Sequence, residues 1–169
     1  MNRTRALILC LSSVGATSLC FAEGWCGADE KTYFQCSLGS KVLSICGLPP
    51  QLHDSGHLRY VIGPRSGRPE LVFPDQSSLP ATVFRLGEAG RSAKGGISNL
   101  QFHRGPVTYT VYRFRHSFEG NYAGVAVSRA GAKKVYLKCS EHELVDAMWD
   151  LDEFRLPVME TGEIEEGGE

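Results

Sequence analysis

The run HDSGH, His53 to His57, places a hydroxyl, two imidazoles and a carboxylate within five residues. Those are the ingredients of acyl transfer, but a working triad needs them to converge on one point beside an oxyanion donor. Neighbours in a turn point in different directions, and Asp54 and Ser55 are turn formers, so the run reads as a loop. His53 and His57 fail equally as metal ligands, because four-residue spacing aligns two side chains on a helix, not in a loop following Pro49-Pro50. The Gly-rich GEAGRSAKGG, residues 87–96, invites a test as a phosphate loop. That chemistry needs G-x-x-x-x-G-K-[ST] between strand and helix; here Lys94 precedes Gly95-Gly96 and a strand follows. A loop offering Arg91 and Lys94 to an acidic partner remains. Asp150, Asp152 and Glu153 lack the glycine-turned ligand loop of a calcium site. No metal, cofactor or catalytic set is expected.

The strongest surface candidate is TYTVYRFRH, residues 108–116. If Val107, Tyr109 and Val111 face the core, Arg113 and Arg115 continue that side beyond the core edge. Thr108, Thr110, Tyr112 and Phe114 then form the other face. Tyr, Phe and Arg dominate the energetics of protein interfaces. The expected binding set is Tyr112, Arg113, Phe114 and Arg115, with Arg91 and Lys94. The competing reading makes Tyr112 and Phe114 a sheet face covered by a C-terminal helix.

The elements that must position these residues follow from the rest of the chain. Residues 1–22, with Arg3 and Arg5 ahead of an uncharged apolar run and the small residues Cys20 and Ala22 before Glu23, have the form of a secretory signal peptide cut after Ala22. Export to the bacterial periplasm, or secretion, is the expected destination, with no membrane-embedded part. Cys26, Cys36, Cys46 and Cys139 remain, an even number that reads as two disulfides in an oxidising compartment. Zinc is disfavoured, since the ligands do not come in close pairs.

Beyond the leader, short runs of β-branched and aromatic residues alternate with Gly, Pro, Asp and Ser breakers. Strands are expected at 32–36, 42–46, 57–63, 69–73, 81–86, 97–102, 106–115, 120–128 and 132–138. A hairpin turning at Gly39-Ser40 sets Cys36 opposite Leu43 and Phe34 opposite Ile45, so Cys36 and Cys46 point to opposite faces and cannot bond each other. Cys36 then takes Cys139 and Cys26 takes Cys46, unless a bulge changes the parity. SEHELVDAMWDLDEF, 140–154, sets Leu144, Val145, Met148, Trp149 and Leu151 at helical spacing, with Ser140 and Glu143 as a capping box.

Four segments, YFQCSLGSKVLSICG, LRYVIGPRSGRPELVFP, YTVYRFR and AGVAVSRAGAKKVYLKC, resemble a widespread group of small exported bacterial proteins of uncharacterised function. The likeness covers roughly residues 32–139. It departs at YVIG, where Val61 and Ile62 stand for the group's Arg and Phe. What it implies is fold and compartment, not an activity.

The expected architecture is all-β: an antiparallel sandwich or barrel of about nine strands with one C-terminal helix. Residues 1–22 are the signal peptide, 23–156 the disulfide-stapled β-domain with its helix, and 157–169 a disordered acidic tail. Charge is uneven, with 15 Lys and Arg against 7 Asp and Glu over 24–140, and one Arg against 11 acids over 141–169. Two accounts follow: a solvated acidic end that partly neutralises a basic body, or a basic surface meant for an anionic partner and masked or tuned by the tail. The expected function is non-enzymatic binding of a periplasmic or secreted protein, as in an inhibitor or immunity protein against an envelope-acting enzyme. Nucleic acid is not an expected partner for an exported chain. One alternative is a cell-envelope hydrolase pairing His103 or His116 with Glu70 or Glu119. Another is a cell-wall glycan-binding module.

Overall fold

Strict alternation along the hairpin-linked strands builds two five-stranded antiparallel sheets. The structure is a computed structural model that describes residues 24–51, 56–118, 120–140 and 144–160, with the side chain of Arg91 excepted. The strands are β1 Lys31–Leu38, β2 Lys41–Leu48, β3 His57–Pro64, β4 Leu71–Phe73, β5 Phe84–Ser92, β6 Gly95–Arg104, β7 Val107–His116, β8 Gly120–Arg129, β9 Val135–Lys138 and β10 Val145–Asp146. One sheet runs β10-β1-β2-β3-β4 and the other β5-β6-β7-β8-β9. They face each other as a sandwich. Phe34, Leu43, Ile45 and Tyr60 from the first meet Leu100, Phe102, Val111 and Val125 from the second in one buried cluster.

Each expected strand is present, with β10 added. Several boundaries move, with β4 starting at Leu71 rather than 69 and β9 at Val135 rather than 132. Pro80–Val83 forms a single helical turn, α1, so the strand expected at 81–86 starts at Phe84. The Gly-rich 87–96 stretch is mostly strand rather than loop, because a bulge between Ala89 and Ser92 absorbs Gly90 and Arg91 within β5.

The first hairpin keeps the register its turn demands: Leu38 opposite Lys41, Cys36 opposite Leu43, Phe34 opposite Ile45. Gly39, at φ 66°, makes the tight reversal. Cys36 therefore faces the sandwich core and Cys46 the other side of the sheet, where it too is buried, and the disulfides join Cys36 to Cys139 and Cys26 to Cys46. Disulfides of this kind persist outside the reducing cytoplasm. Among the described residues no helix is long and apolar enough to cross a membrane.

The outward staple ties residues 24–30 across the first sheet. Trp25 donates its backbone N–H to Ser44 Oγ at 3.2 Å and its indole N–H to the Val42 carbonyl at 3.1 Å. Room for the indole comes from Gly63, where a Cβ would stand 3.0 Å from Trp25 Cζ2 and 2.7 Å from the Pro69 backbone. Arg59 grips Glu30 through Nε at 2.6 Å and a terminal nitrogen at 2.5 Å. That guanidinium, against the opposing effect of burial, holds the Glu30 carboxyl below the ordinary range, and the Gly27 N–H helps.

The helix expected at 140–154 is replaced. Ser140 donates its N–H to the Ser37 carbonyl, and the Glu143 half of the capping box lies outside the described residues. Val145 and Asp146 pair with Gln35 and Phe34 as an edge strand. Met148–Phe154 then forms a 3-10 helix. Its three-residue period stacks Met148, Leu151 and Phe154 on one side, and all three are buried. Tertiary pairing overrides the local helical pattern here. Lys31 bridges Asp150 at 3.0 Å and Glu153 at 3.2 Å, and the Tyr33 hydroxyl donates to Glu153. Burial, reinforced by Glu153, pushes that hydroxyl far above the ordinary tyrosine range. The tail boundary moves too, for Pro157–Met159 is ordered along β5 and Met159 is buried.

Replacing Cys36 and Cys139 by Ser opens a closure spanning 103 residues and should cost about 4–5 kcal/mol in urea unfolding. Opening the 20-residue Cys26–Cys46 closure should cost about 3 kcal/mol. Acid gives a second test. Since the folded Glu30 carboxyl titrates below its ordinary value of 4.5, its stabilisation is present above that pH and is lost as pH falls through the folded value. Glu30→Ala should lower stability near neutrality by about 2–3 kcal/mol and flatten the acid limb of the stability–pH curve.

Candidate basic and aromatic binding end

β7 runs past the core edge, and what it carries there makes the site. Gly95 permits the approach: its φ of 133° suits glycine, and a Cβ would lie 1.9 Å from the Arg115 carbonyl. The Ser92–Gly95 turn closes with the Lys94 N–H on Ser92 Oγ at 3.2 Å. It is tied to the β7–β8 turn by the Ser117 N–H on the Lys94 carbonyl at 3.0 Å. Between them opens a polar hollow of about 470 Å³, lined by Lys94, Arg113, Arg115, His116, Asn121 and Trp149 among others. A more apolar neighbour of about 360 Å³ shares Lys94, Arg115 and His116 and adds Ala89, Ile97 and Phe114.

Arg113 and Arg115 point the same way along β7 but have different surroundings. Arg113 is buried at 7 % exposure. Its Nε donates to Asp146 Oδ2 at 2.8 Å, and a terminal nitrogen donates to the carbonyls of Phe114 at 2.7 Å and Tyr122 at 3.1 Å. Arg115, exposed, lies 3.7 Å from Asp146 and sets its guanidinium 5.0 Å from the Trp149 ring centre. That cation–π contact holds it at the mouth of the hollow.

The opposite face of β7 gives an aromatic row. Phe114 stacks on Tyr122 at 4.5 Å and 14°, His116 follows at 6.1 Å from Phe114, and Phe118 stands 6.0 Å from His116. Phe118 is 83 % exposed and Tyr122 39 %. Large apolar side chains this bare are informative when clustered.

Of the expected binding set, Phe114, Arg115 and Lys94 come together at this end. Two residues are corrected. Tyr112 is 1 % exposed: its ring packs edge-on to Tyr136 and over Gly124, where a Cβ would sit 2.5 Å from its hydroxyl. Arg113 is consumed by Asp146. Neither is on a surface. Arg91 lies on β5, and its side chain is outside the described residues. His116, Phe118, Asn121, Tyr122 and Trp149 were not in the expected set. The legible signal was Phe118 itself, an aromatic in a hairpin turn where nothing can bury it.

The remaining candidates scatter. His53, Asp54, Ser55 and Glu119 lie outside the described residues, while His57 faces Glu30 at 3.4 Å. His103 contacts Thr108 Oγ1 at 3.0 Å, and Glu70 pairs with Lys41 at 2.6 Å. Among the described residues no group of three or more metal-ligating side chains converges.

The chain matches no protein-family model, no curated protein and no solved structure.

The contrast between the two arginines is testable by urea unfolding. Arg113→Ala strands Asp146 in an enclosed site and should cost about 3 kcal/mol. Arg115→Ala should cost less than about 1 kcal/mol.

Proposed function

We propose that this is an exported binding domain that acts without chemistry, gripping an acidic protein surface through the Lys94–Arg115–His116 end of the second sheet. The observation that carries it is the meeting, at one end, of bare aromatic side chains with cations around an open hollow. Phe118 and Tyr122 supply desolvated contact area, and Arg115 and Lys94 supply complementary charge and steering. The hollow's described lining contains no carboxylate, which suits an anionic visitor.

The reading takes the chain to be periplasmic or secreted, in keeping with its disulfides and with the leader-like residues 1–22. Its most concrete form is an inhibitor or immunity protein whose β7–β8 turn enters the acidic cleft of an envelope-acting enzyme. The resemblance to a group of small exported bacterial proteins supports the same setting.

The hydrolase alternative gains little from His103 and Glu70, each of which holds another partner. The glycan alternative has one observation in its favour, the exposed stacked pair of Tyr122 and Phe114.

Affinity capture from a periplasmic extract should retain a discrete protein on the wild-type chain, released by salt. Phe118→Ala with Arg115→Glu should weaken capture by roughly 30-fold, as expected for loss of a central anchor. Arg129→Glu, at the far end of β8, should capture as wild type does. Equal capture by all three chains removes this surface from consideration. Sedimentation with purified peptidoglycan that Phe118→Ala abolishes would replace the protein partner with a glycan.

A further inference from the structure

The two hollows at this end meet across the tip of the second sheet. Both are walled by Lys94, Gly95, Arg115 and His116, and Gly95 with His116 is the outermost pair of β6 and β7. From that shared rim they open to opposite faces. The polar hollow lies on the Arg113 side, toward Asn121 and Trp149. The apolar one lies on the other side, over Ala89, Ile97 and Phe114, which stand side by side on β5, β6 and β7.

Their chemistry differs as much as their direction. Donors line the polar hollow: Lys94 is exposed, and the Arg115 side chain is 45 % exposed. Asn121 commits its Oδ1 to the His116 N–H at 3.3 Å, which leaves its NH2 to donate. Across the rim, Ile97 and Phe114 offer only apolar surface. A visitor that fills both must therefore send a negative group one way and an apolar group the other. A carboxylate on a single hydrocarbon chain has to fold back over the rim to do so. An extended peptide crossing the rim does it without bending, because successive side chains point to opposite sides, about 3.3 Å apart along the chain.

We infer that the partner presents an extended segment with an acidic residue directly beside an apolar one, the carboxylate entering the Lys94–Arg115–Asn121 hollow and the apolar side chain the Ile97–Phe114 hollow. The epitope rests on the protein-binding function proposed above. Its form rests on charge complementarity and on the opposed faces of the two hollows.

Amide NMR titration of the oxidised protein with end-blocked hexapeptides tests it. A peptide with one Glu next to one Leu in a Gly-Ser background should shift the amides of Lys94, Ile97 and His116 and the indole N–H of Trp149. Replacing its acid by the amide should weaken binding roughly fivefold, and replacing its leucine by serine roughly tenfold. Inserting one glycine between acid and leucine puts both side chains on one side and should also weaken binding roughly tenfold. In the protein, Lys94→Gln/Arg115→Gln should erase the acid preference and keep the leucine preference. Ala89→Leu, which fills the apolar hollow, should do the reverse; if it does not fold, the exposed Lys94→Gln/Arg115→Gln pair carries the test. Equal affinity for all four peptides, or a preference for the spaced one, overturns the inference. So does tighter binding of octanoate, which would make the end a site for anionic lipid. The two proposals fail separately. Peptide discrimination with no protein captured from the extract removes the protein partner and keeps the site. Capture that Ala89→Leu leaves intact, while Phe118→Ala with Arg115→Glu weakens it, keeps the partner and removes this epitope.

Discussion

The ion pair between Arg113 and Asp146 is the contact on which the candidate binding end depends. It crosses from β7 in one sheet to β10 in the other, and both side chains are largely buried, at 8 % and 14 % exposure. A lone charge in that position would be strongly penalised, so the pair fixes the separation of the sheets where the core gives out. β10 is only two residues long and is held by its pairing with β1 and by this bond. The 3-10 helix starts two residues beyond it, which makes the placement of Trp149 a consequence of the same interaction. Arg115, one alternation further along β7, inherits a geometry it did not have to create.

Much of the fold was legible because period-two alternation and turn residues are local signals. The Gly39-Ser40 reversal set the parity of Cys36 and Cys46, and the disulfide pairs follow that parity. The C-terminal segment was not legible. Leu144, Val145, Met148 and Trp149 suit a 3.6-residue period, while Met148, Leu151 and Phe154 suit a period of three, and only the partner surface decides between them. Strand pairing of Val145 with Gln35 is a long-range event with no local mark. GEAGRSAKGG misled for a related reason: its glycines permit a loop, but they also permit a bulged strand and the close passage of Gly95 by Arg115.

The site was half legible. Alternation correctly put Arg113 and Arg115 on one side of β7 and Phe114 on the other. It could not tell that Asp146 would claim the first arginine, nor that Gly124 would leave a bed for Tyr112. Burial depends on what arrives from other strands, and in the second sheet small residues opposite large ones decide it. A turn residue such as Phe118 escapes this ambiguity, since among the described residues no strand covers it. Of the expected set, Lys94, Phe114 and Arg115 remain, joined by His116 and Phe118, where the end of β7, the β7–β8 turn and the neighbouring β5–β6 turn extend past the core.

The bond between Cys36 and Cys139 also has a topological meaning. It closes the end of β1, from Cys36 onward, and all of β2 through β9 into a single covalent ring, with the Arg65–Arg68 and Pro74–Leu79 connections on its circumference. A protease that cuts the backbone once anywhere within that ring produces two ends but releases no fragment. A single nick is thus survivable, and the aromatic turn at its rim stays attached to the rest of the domain.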